Sequence, residues 1–87
     1  MATTNVTIAN SGWTDCGAGP LALVLSGVNS PIDVLVYSAA AAPGVDSDAA
    51  RVNIEPLIPF NYQFTAKLFV KLAAGGGASS VAAKVIA

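Results

Sequence analysis

The chain has 87 residues, of which 54% are hydrophobic and 10% are charged, and its formal net charge is −1. A single cysteine excludes an internal disulfide, and the absence of histidine disfavours a zinc site. The four basic residues are dispersed and form no basic stripe, which argues against binding nucleic acid through its phosphates.

The low charge content predicts that some apolar surface stays uncovered after folding. An ordinary domain has about 25% charged residues, and a chain of this size buries only roughly 60–65% of its unfolded surface. Large apolar patches usually mark interaction sites, so we expect a homo-oligomer or a part of a larger assembly. The alternative is a free monomer, because many of the hydrophobic residues are alanines with little area to hide.

No segment predicts a membrane partner or export. The longest wholly apolar run is shorter than the roughly 20 residues of a membrane-spanning helix. Residues 1–7 have neither the positive region nor the apolar core of a secretion signal. We therefore expect synthesis in a cytoplasm.

The first half of the chain predicts short strands separated by turns. Polar and apolar residues alternate over residues 3–9, as they do in strands with one buried face. Residues 32–38 form another predicted strand, with Ile32, Val34 and Val36 on one face and Asp33, Leu35 and Tyr37 on the other. Residues 13–19 form a short strand or a loop that ends in glycines. In residues 21–26 both faces are apolar, which predicts burial on two sides.

The second half begins with a loop and a corner. Residues 39–49 contain a proline, a glycine and two aspartates, which predicts an exposed loop. Residues 51–55 alternate as a strand does, and Pro56 and Pro59 bracket a corner that holds Leu57, Ile58 and Phe60.

The longest alternating segment is residues 61–72, and it organises the rest of the prediction. Its even-numbered residues are apolar or aromatic, whereas its odd-numbered residues are polar except for Phe69. We predict one long strand with a bend or bulge, because most strands have about 5–6 residues. Three glycines at residues 75–77 then predict a flexible connection to a last strand at residues 81–86.

These elements predict an all-β fold, a small antiparallel β-sandwich or barrel of six to seven short strands. The chain offers no convincing helix and no linker, so residues 1–87 are expected to form a single domain.

Catalysis is disfavoured by the available side chains. No histidine can act as a base near neutral pH, and the carboxylate of Asp15 would raise the pKa of Cys16. For Cys16 we favour a small buried residue, with an intersubunit disulfide as the alternative. Asp46 and Asp48 are too few ligands for a calcium site and are expected in a solvated turn. We expect no catalytic, metal-binding or cofactor-binding residues.

Aromatic side chains offer two alternatives. Trp13, Tyr37 and Tyr62 are expected to anchor the core or an interface, and the alternative is a platform for sugar rings. Phe69 lies between two lysines on the polar face of its strand, which makes it the best single candidate for a subunit contact. The predicted interface residues, with core and interface roles not separated, are Leu21, Leu23, Leu25, Leu35, Tyr37 and Phe69.

The order of several segments resembles that of short virion structural proteins of tailed bacteriophages. A Trp-x-Asp-x-Gly segment at residues 13–17 precedes the leucine-rich strand at residues 21–25. A Pro-Ile-Asp-Val-Leu-Val-Tyr strand at residues 31–37 leads into an alanine- and proline-containing loop. The C-terminal Lys-Leu-Phe-Val-Lys-Leu strand is followed by the glycine-rich connection and a Val-Ala-Ala-Lys-Val-Ile ending.

The resemblance implies a non-enzymatic, repeated component of a phage particle. Such a protein would decorate or stabilise the capsid, or form part of a head or tail fibre, in contact with the major capsid protein or another virion protein. We expect a homo-oligomer, with a trimer as the expected state, that is made in the host cytoplasm and resides in the virion. The alternative function is a carbohydrate- or surface-binding β-sandwich module.

Overall fold

The fold is all-β, as predicted. The computed structural model describes residues 2–73 and 79–87, and the connection expected at residues 75–77 lies outside the described residues. The eight strands are β1 (Thr3–Ala9), β2 (Thr14–Ala18), β3 (Leu21–Leu25), β4 (Ile32–Ala39), β5 (Ala50–Ile54), β6 (Phe60–Tyr62), β7 (Lys67–Leu72) and β8 (Ser80–Ile86). A short 3-10 helix, Asp46–Asp48, lies in the loop between β4 and β5.

Two four-stranded antiparallel sheets form a sandwich. Sheet I has the strand order β1-β8-β3-β6, and sheet II has the order β2-β7-β4-β5. The chain crosses between the sheets at almost every connection. The predicted antiparallel sandwich is thus confirmed, with eight strands instead of six or seven.

The core lies between the sheets and is built from alternate residues of each strand. Leu23 of β3 is paired with Val85 of β8 in sheet I, and Val34 of β4 is paired with Leu72 of β7 in sheet II. All four side chains are buried. Alternation therefore directs one apolar row of each sheet inwards, as period two requires.

The long strand predicted at residues 61–72 does not exist as one element. The structure divides it into β6, at the edge of sheet I, and β7, inside sheet II. Between them the chain crosses from one sheet to the other, and the side chain of Phe64 is 69% exposed. The prediction of a single bent strand is therefore wrong.

The alternation could not reveal this break, because it continues with the same parity across it. Tyr62 faces the core from sheet I, and Leu68 faces the same core from sheet II. Both are even-numbered, so the pattern is the same for one strand and for two. The Tyr62 hydroxyl donates a hydrogen bond to the Ala66 carbonyl oxygen at 2.8 Å and holds the crossover in place.

The two lateral sides of the sandwich differ. On one side β1 and β2 lie together, and the Thr14 hydroxyl donates to the Thr7 carbonyl oxygen at 2.8 Å across the two sheets. On the other side β6 and β5 end their sheets, and two clefts open there. This second side positions the candidate site.

Candidate functional site

Three of the six predicted interface residues belong to the core of this chain. Leu21 is 5% exposed, and Leu23 and Leu25 are fully buried. They face the interior from β3 of sheet I and have no side-chain surface for a partner to contact. We therefore correct their assignment from interface to core.

The other three, Leu35, Tyr37 and Phe69, lie together on the outer face of sheet II. Tyr37 of β4 is paired with Phe69 of β7, and Leu35 is the next outward residue on β4. Phe69 is only 8% exposed, although it faces away from the core, whereas Leu35 and Tyr37 are half-buried. The structure thus brings these residues together but leaves Phe69 little free surface.

Charged groups on this outer face are paired within the chain. Asp33 accepts hydrogen bonds from Arg51 Nε at 3.1 Å, Arg51 Nη2 at 2.9 Å and Asn53 Nδ2 at 2.9 Å. These bonds, from Asn53 and then Arg51, lower the pKa of Asp33. The negative charge of Asp33 on this face is therefore balanced by Arg51 within the same chain.

Two lysines of β7 complete this network. Lys71 Nζ lies 2.9 Å from Asp46 Oδ2 and 5.9 Å from the centre of the Trp13 ring. Lys67 Nζ lies 3.3 Å from Asp15 Oδ2. The pKa of Asp15 is lowered chiefly by the backbone N–H of Gly17, with a further contribution from Lys67. The pair of Lys67 with Asp15 is exposed and stabilises the fold little, whereas Lys71 is only 17% exposed. Both lysines have an aspartate partner within the chain.

The expected solvated turn is present at Asp46 and Asp48. Both residues are exposed in the 3-10 helix, and the carboxylate of Asp46 binds Lys71. Across residues 2–73 and 79–87, no group of three or more histidine, cysteine, aspartate or glutamate side chains could hold a metal ion.

Cys16 faces the core and is 7% exposed. Burial, and then the negative charge of Asp15, raise the pKa of its thiol to about 11. A thiol that is buried and protonated at neutral pH is a poor nucleophile and lies out of reach of a second chain. Cys16 is therefore a core residue, as favoured, and the alternative of an intersubunit disulfide is not supported.

The three candidate aromatics do not form one platform. Tyr62 is 5% exposed and faces the core, whereas Trp13, directly before β2, and Tyr37, in β4, are half-buried. A sugar-binding surface made of all three rings is therefore absent from this fold.

The largest exposed apolar side chains lie elsewhere, on the side where β5 and β6 end the sheets. We call this surface the open edge and define it by Leu57, Ile58, Phe60 and Phe64. Leu57 is 73% exposed, Ile58 54% and Phe64 69%, and Phe60 is half-buried. Two clefts of about 260 and 330 Å³ run along it and share Phe60 as a common wall.

The corner that carries Leu57 is held in an unusual conformation. Leu57 has a φ of 62°, a left-handed value that favours glycine, and its N–H donates to the Leu25 carbonyl oxygen at 3.2 Å. The Ile58 N–H donates to the Glu55 carbonyl oxygen at 3.4 Å, so Pro56 and Leu57 occupy the centre of a tight turn. An apolar side chain in solvent therefore sits on a strained backbone, and strained residues concentrate at functional sites.

The sequence predicted a corner at these residues but no binding role for them. The available signal was a pair of large aliphatic residues between two prolines, at a turn where glycine or asparagine is usual. The exposure of Phe64 was not predicted, because its even-numbered position placed it on the face of the strand that was expected to be buried.

Comparison with protein-family models, with curated proteins and with solved structures returned no match to this chain. Within the part of the chain that the structure describes, no helix has the length and apolar character needed to cross a bilayer. What the chain does must therefore be argued from its own surfaces.

Proposed function

We propose that this protein is a non-enzymatic structural subunit that assembles with copies of itself through the open edge. The observation that carries the proposal is the exposure of Leu57, Ile58 and Phe64 beside two clefts. Phe60 lines both clefts and lies between Ile58 in one and Phe64 in the other, and an exposed apolar surface of this kind is typical of an interaction site.

The total accessible surface area of the chain shows whether apolar surface is in general excess. The accessible area of 4719 Å² is close to the roughly 4700 Å² of a compact monomer of this mass. The chain thus hides its core as well as an ordinary monomer does, and its exposed large apolar side chains are few. Among the described residues, three of the four exposed large apolar side chains, Leu57, Ile58 and Phe64, lie at the open edge, and this uneven distribution supports assembly.

The available energy is sufficient for association. Burying a few hundred Å² of apolar surface at about 25 cal/mol per Å² contributes several kcal/mol, before the cost of immobilising two chains is subtracted. The backbone at Leu57 is already fixed by its hydrogen bond to Leu25, so ordering the main chain of this corner adds little to the cost of binding.

The resemblance to tailed-phage virion proteins supplies the proposed location. We propose that the assembly, with a trimer as its proposed state, decorates or stabilises a capsid or forms part of a head or tail fibre. There it would contact the major capsid protein or another virion protein. If a phage genome carries this gene, proteomics of its purified virions tests the location, and absence of the chain from the particles would refute that part.

Light scattering during size-exclusion chromatography, over a wide range of protein concentration, tests self-assembly. We expect a mass several times that of the 8.6 kDa chain. Ile58→Ser and Phe64→Ser should shift the protein towards the monomer. Val45→Ser is the matched control, because Val45 is 56% exposed but lines neither cleft. A wild-type protein that stays monomeric at every concentration refutes the proposal.

A further inference from the structure

The open edge carries negative charge without a partner. Glu55 lines the smaller cleft beside Ile58, and Asp48 lines the larger cleft beside Phe64. In the described ranges, 2–73 and 79–87, neither carboxylate forms an ion pair. An apolar surface with two such acids fits a partner surface that is apolar and carries a base.

The outer face of sheet I has that chemistry. Ala22 is paired with Ile86, and Val24 is paired with Lys84, all on the side of the sheet away from the core. The three apolar residues are half-buried, and Lys84 is exposed. We call Ala22, Val24, Lys84 and Ile86 the sheet I strip.

Lys84 is the base that remains for a partner. Its Nζ donates to Asn5 Oδ1 at 2.9 Å, and no carboxylate among the described residues pairs with it. Arg51, Lys67 and Lys71 are each paired with an aspartate on the outer face of sheet II. The unpaired charges of opposite sign therefore lie on two different surfaces.

We propose, on the basis of the assembly proposed above, that copies associate head-to-tail. The open edge of one copy packs on the sheet I strip of the next copy, and Lys84 lies against Glu55 and Asp48. A two-fold contact of open edge with open edge would bring carboxylates together, and a two-fold contact of strip with strip would bring lysines together. Only the contact between unlike surfaces pairs opposite charges.

Head-to-tail contacts have a consequence for the form of the assembly. An open row of copies keeps one unused open edge at one end and one unused sheet I strip at the other. A closed ring satisfies all of them, and a trimer is one such ring. A two-fold dimer does not use this contact.

Charge reversal tests the proposal, because the two groups are exposed and far from the core. Glu55→Lys and Lys84→Glu should each raise the dissociation constant about tenfold or more, since each places like charges in the contact. The double variant should regain wild-type association. An equimolar mixture of the two single variants should also associate pairwise, because each supplies the surface that complements the other, although a three-membered ring of them keeps one contact between like charges.

Controls separate the contact from folding and from general charge effects. Glu55→Gln and Lys84→Gln remove the charge without reversing it and should weaken association less than the reversals. Lys67→Glu reverses a charge on the outer face of sheet II and should leave association unchanged. Circular dichroism and thermal unfolding of each variant establish that it is folded.

The outcomes distinguish this inference from the function on which it rests. If the wild-type protein assembles and Lys84→Glu assembles equally well, the head-to-tail contact is refuted and self-assembly stands. If Lys67→Glu dissociates the assembly while Glu55→Lys does not, the interface lies on sheet II and the contact is again refuted. A wild-type monomer refutes both proposals.

Discussion

The hydroxyl of Tyr62 on sheet I shares a hydrogen bond with the hydroxyl of Ser38 on sheet II. The same Tyr62 oxygen reaches the Ala66 carbonyl oxygen at 2.8 Å, so one group joins both sheets and the crossover that carries Phe64. The shape of the larger cleft depends on this link, because Ser38, Tyr62 and Phe64 all line it.

Removing this hydroxyl should destabilise the fold. We expect Tyr62→Phe to lower the free energy of unfolding by about 1 kcal/mol, since the part-buried groups it serves lose their partner. Urea unfolding followed by fluorescence measures the change. Tyr37→Phe is the matched control, and its effect should stay within about 0.5 kcal/mol. An equal decrease in the free energy of unfolding for the two variants would show that the hydrogen bonds of the Tyr62 hydroxyl do not stabilise the fold.

Gly19 is required by the packing of the crossover. A Cβ atom there would lie 2.6 Å from Cδ2 of Tyr62 and would also meet the Phe64 carbonyl oxygen. Backbone atoms cannot yield easily, so Gly19→Ala should cost roughly 1–3 kcal/mol of stability. Gly12→Ala is the control, because nothing lies within 4 Å of its added Cβ. Similar thermal unfolding of both variants would contradict the described position of the crossover.

The strain at Leu57 can be separated from its apolar contact. Leu57→Gly relieves the left-handed backbone, whereas Leu57→Ala keeps the Cβ atom that causes the strain. We expect the glycine variant to be more stable than the alanine variant by about 1 kcal/mol in urea unfolding. Both variants lose the exposed side chain, so both should weaken association to the same extent. A more stable alanine variant would show that the corner is unstrained.

The burial of Cys16 predicts a dependence of stability on alkaline pH. The pKa is about 11 in the folded chain, against 9.0 for an ordinary thiol. The unfolded chain therefore loses this proton first, and stability should fall between about pH 9 and pH 11 by on the order of 2 kcal/mol. Cys16→Ala should lack this part of the decline, so the difference between the two unfolding profiles isolates it.

Thiol chemistry offers an independent measurement on the same residue. At neutral pH, an aromatic disulfide reagent should react slowly with the native protein and rapidly with the protein in denaturant, because burial protects Cys16. Mild oxidation should produce no covalent dimer from the native state. Fast native labelling would place the thiol at the surface.

The position of strands could be predicted because period two is a local property. The alternation of Val6 and Ile8 with polar residues predicted β1 at its observed bounds, and Leu21, Leu23 and Leu25 predicted β3 within one residue. The same alternation gave a wrong prediction at residues 61–72, because inward-facing residues are even-numbered both before and after the crossover. Local pattern reports which face a residue occupies, and it does not report which sheet the strand joins.

The candidate site was harder to predict, since exposure is decided by all the elements together. Leu25 and Leu57 are both leucines in apolar segments, yet one is fully buried and the other is 73% exposed. Phe64 and Leu68 are both even-numbered members of one alternating segment, and they differ in the same way. The prolines around Leu57 marked a corner but not the exposure of its side chain, and no feature of the neighbouring sequence separates Phe64 from Leu68.

The amino-acid sequence by itself determined an all-β chain with few charged residues and no histidine, because alternation and composition do not depend on how distant segments pack. The tertiary structure alone decided which apolar side chains stay uncovered and which charges remain unpaired. The reason is that strands distant in the chain, such as β1 and β8, cover one another, and only their final order leaves Ile58 and Phe64 at an edge with no strand beyond it.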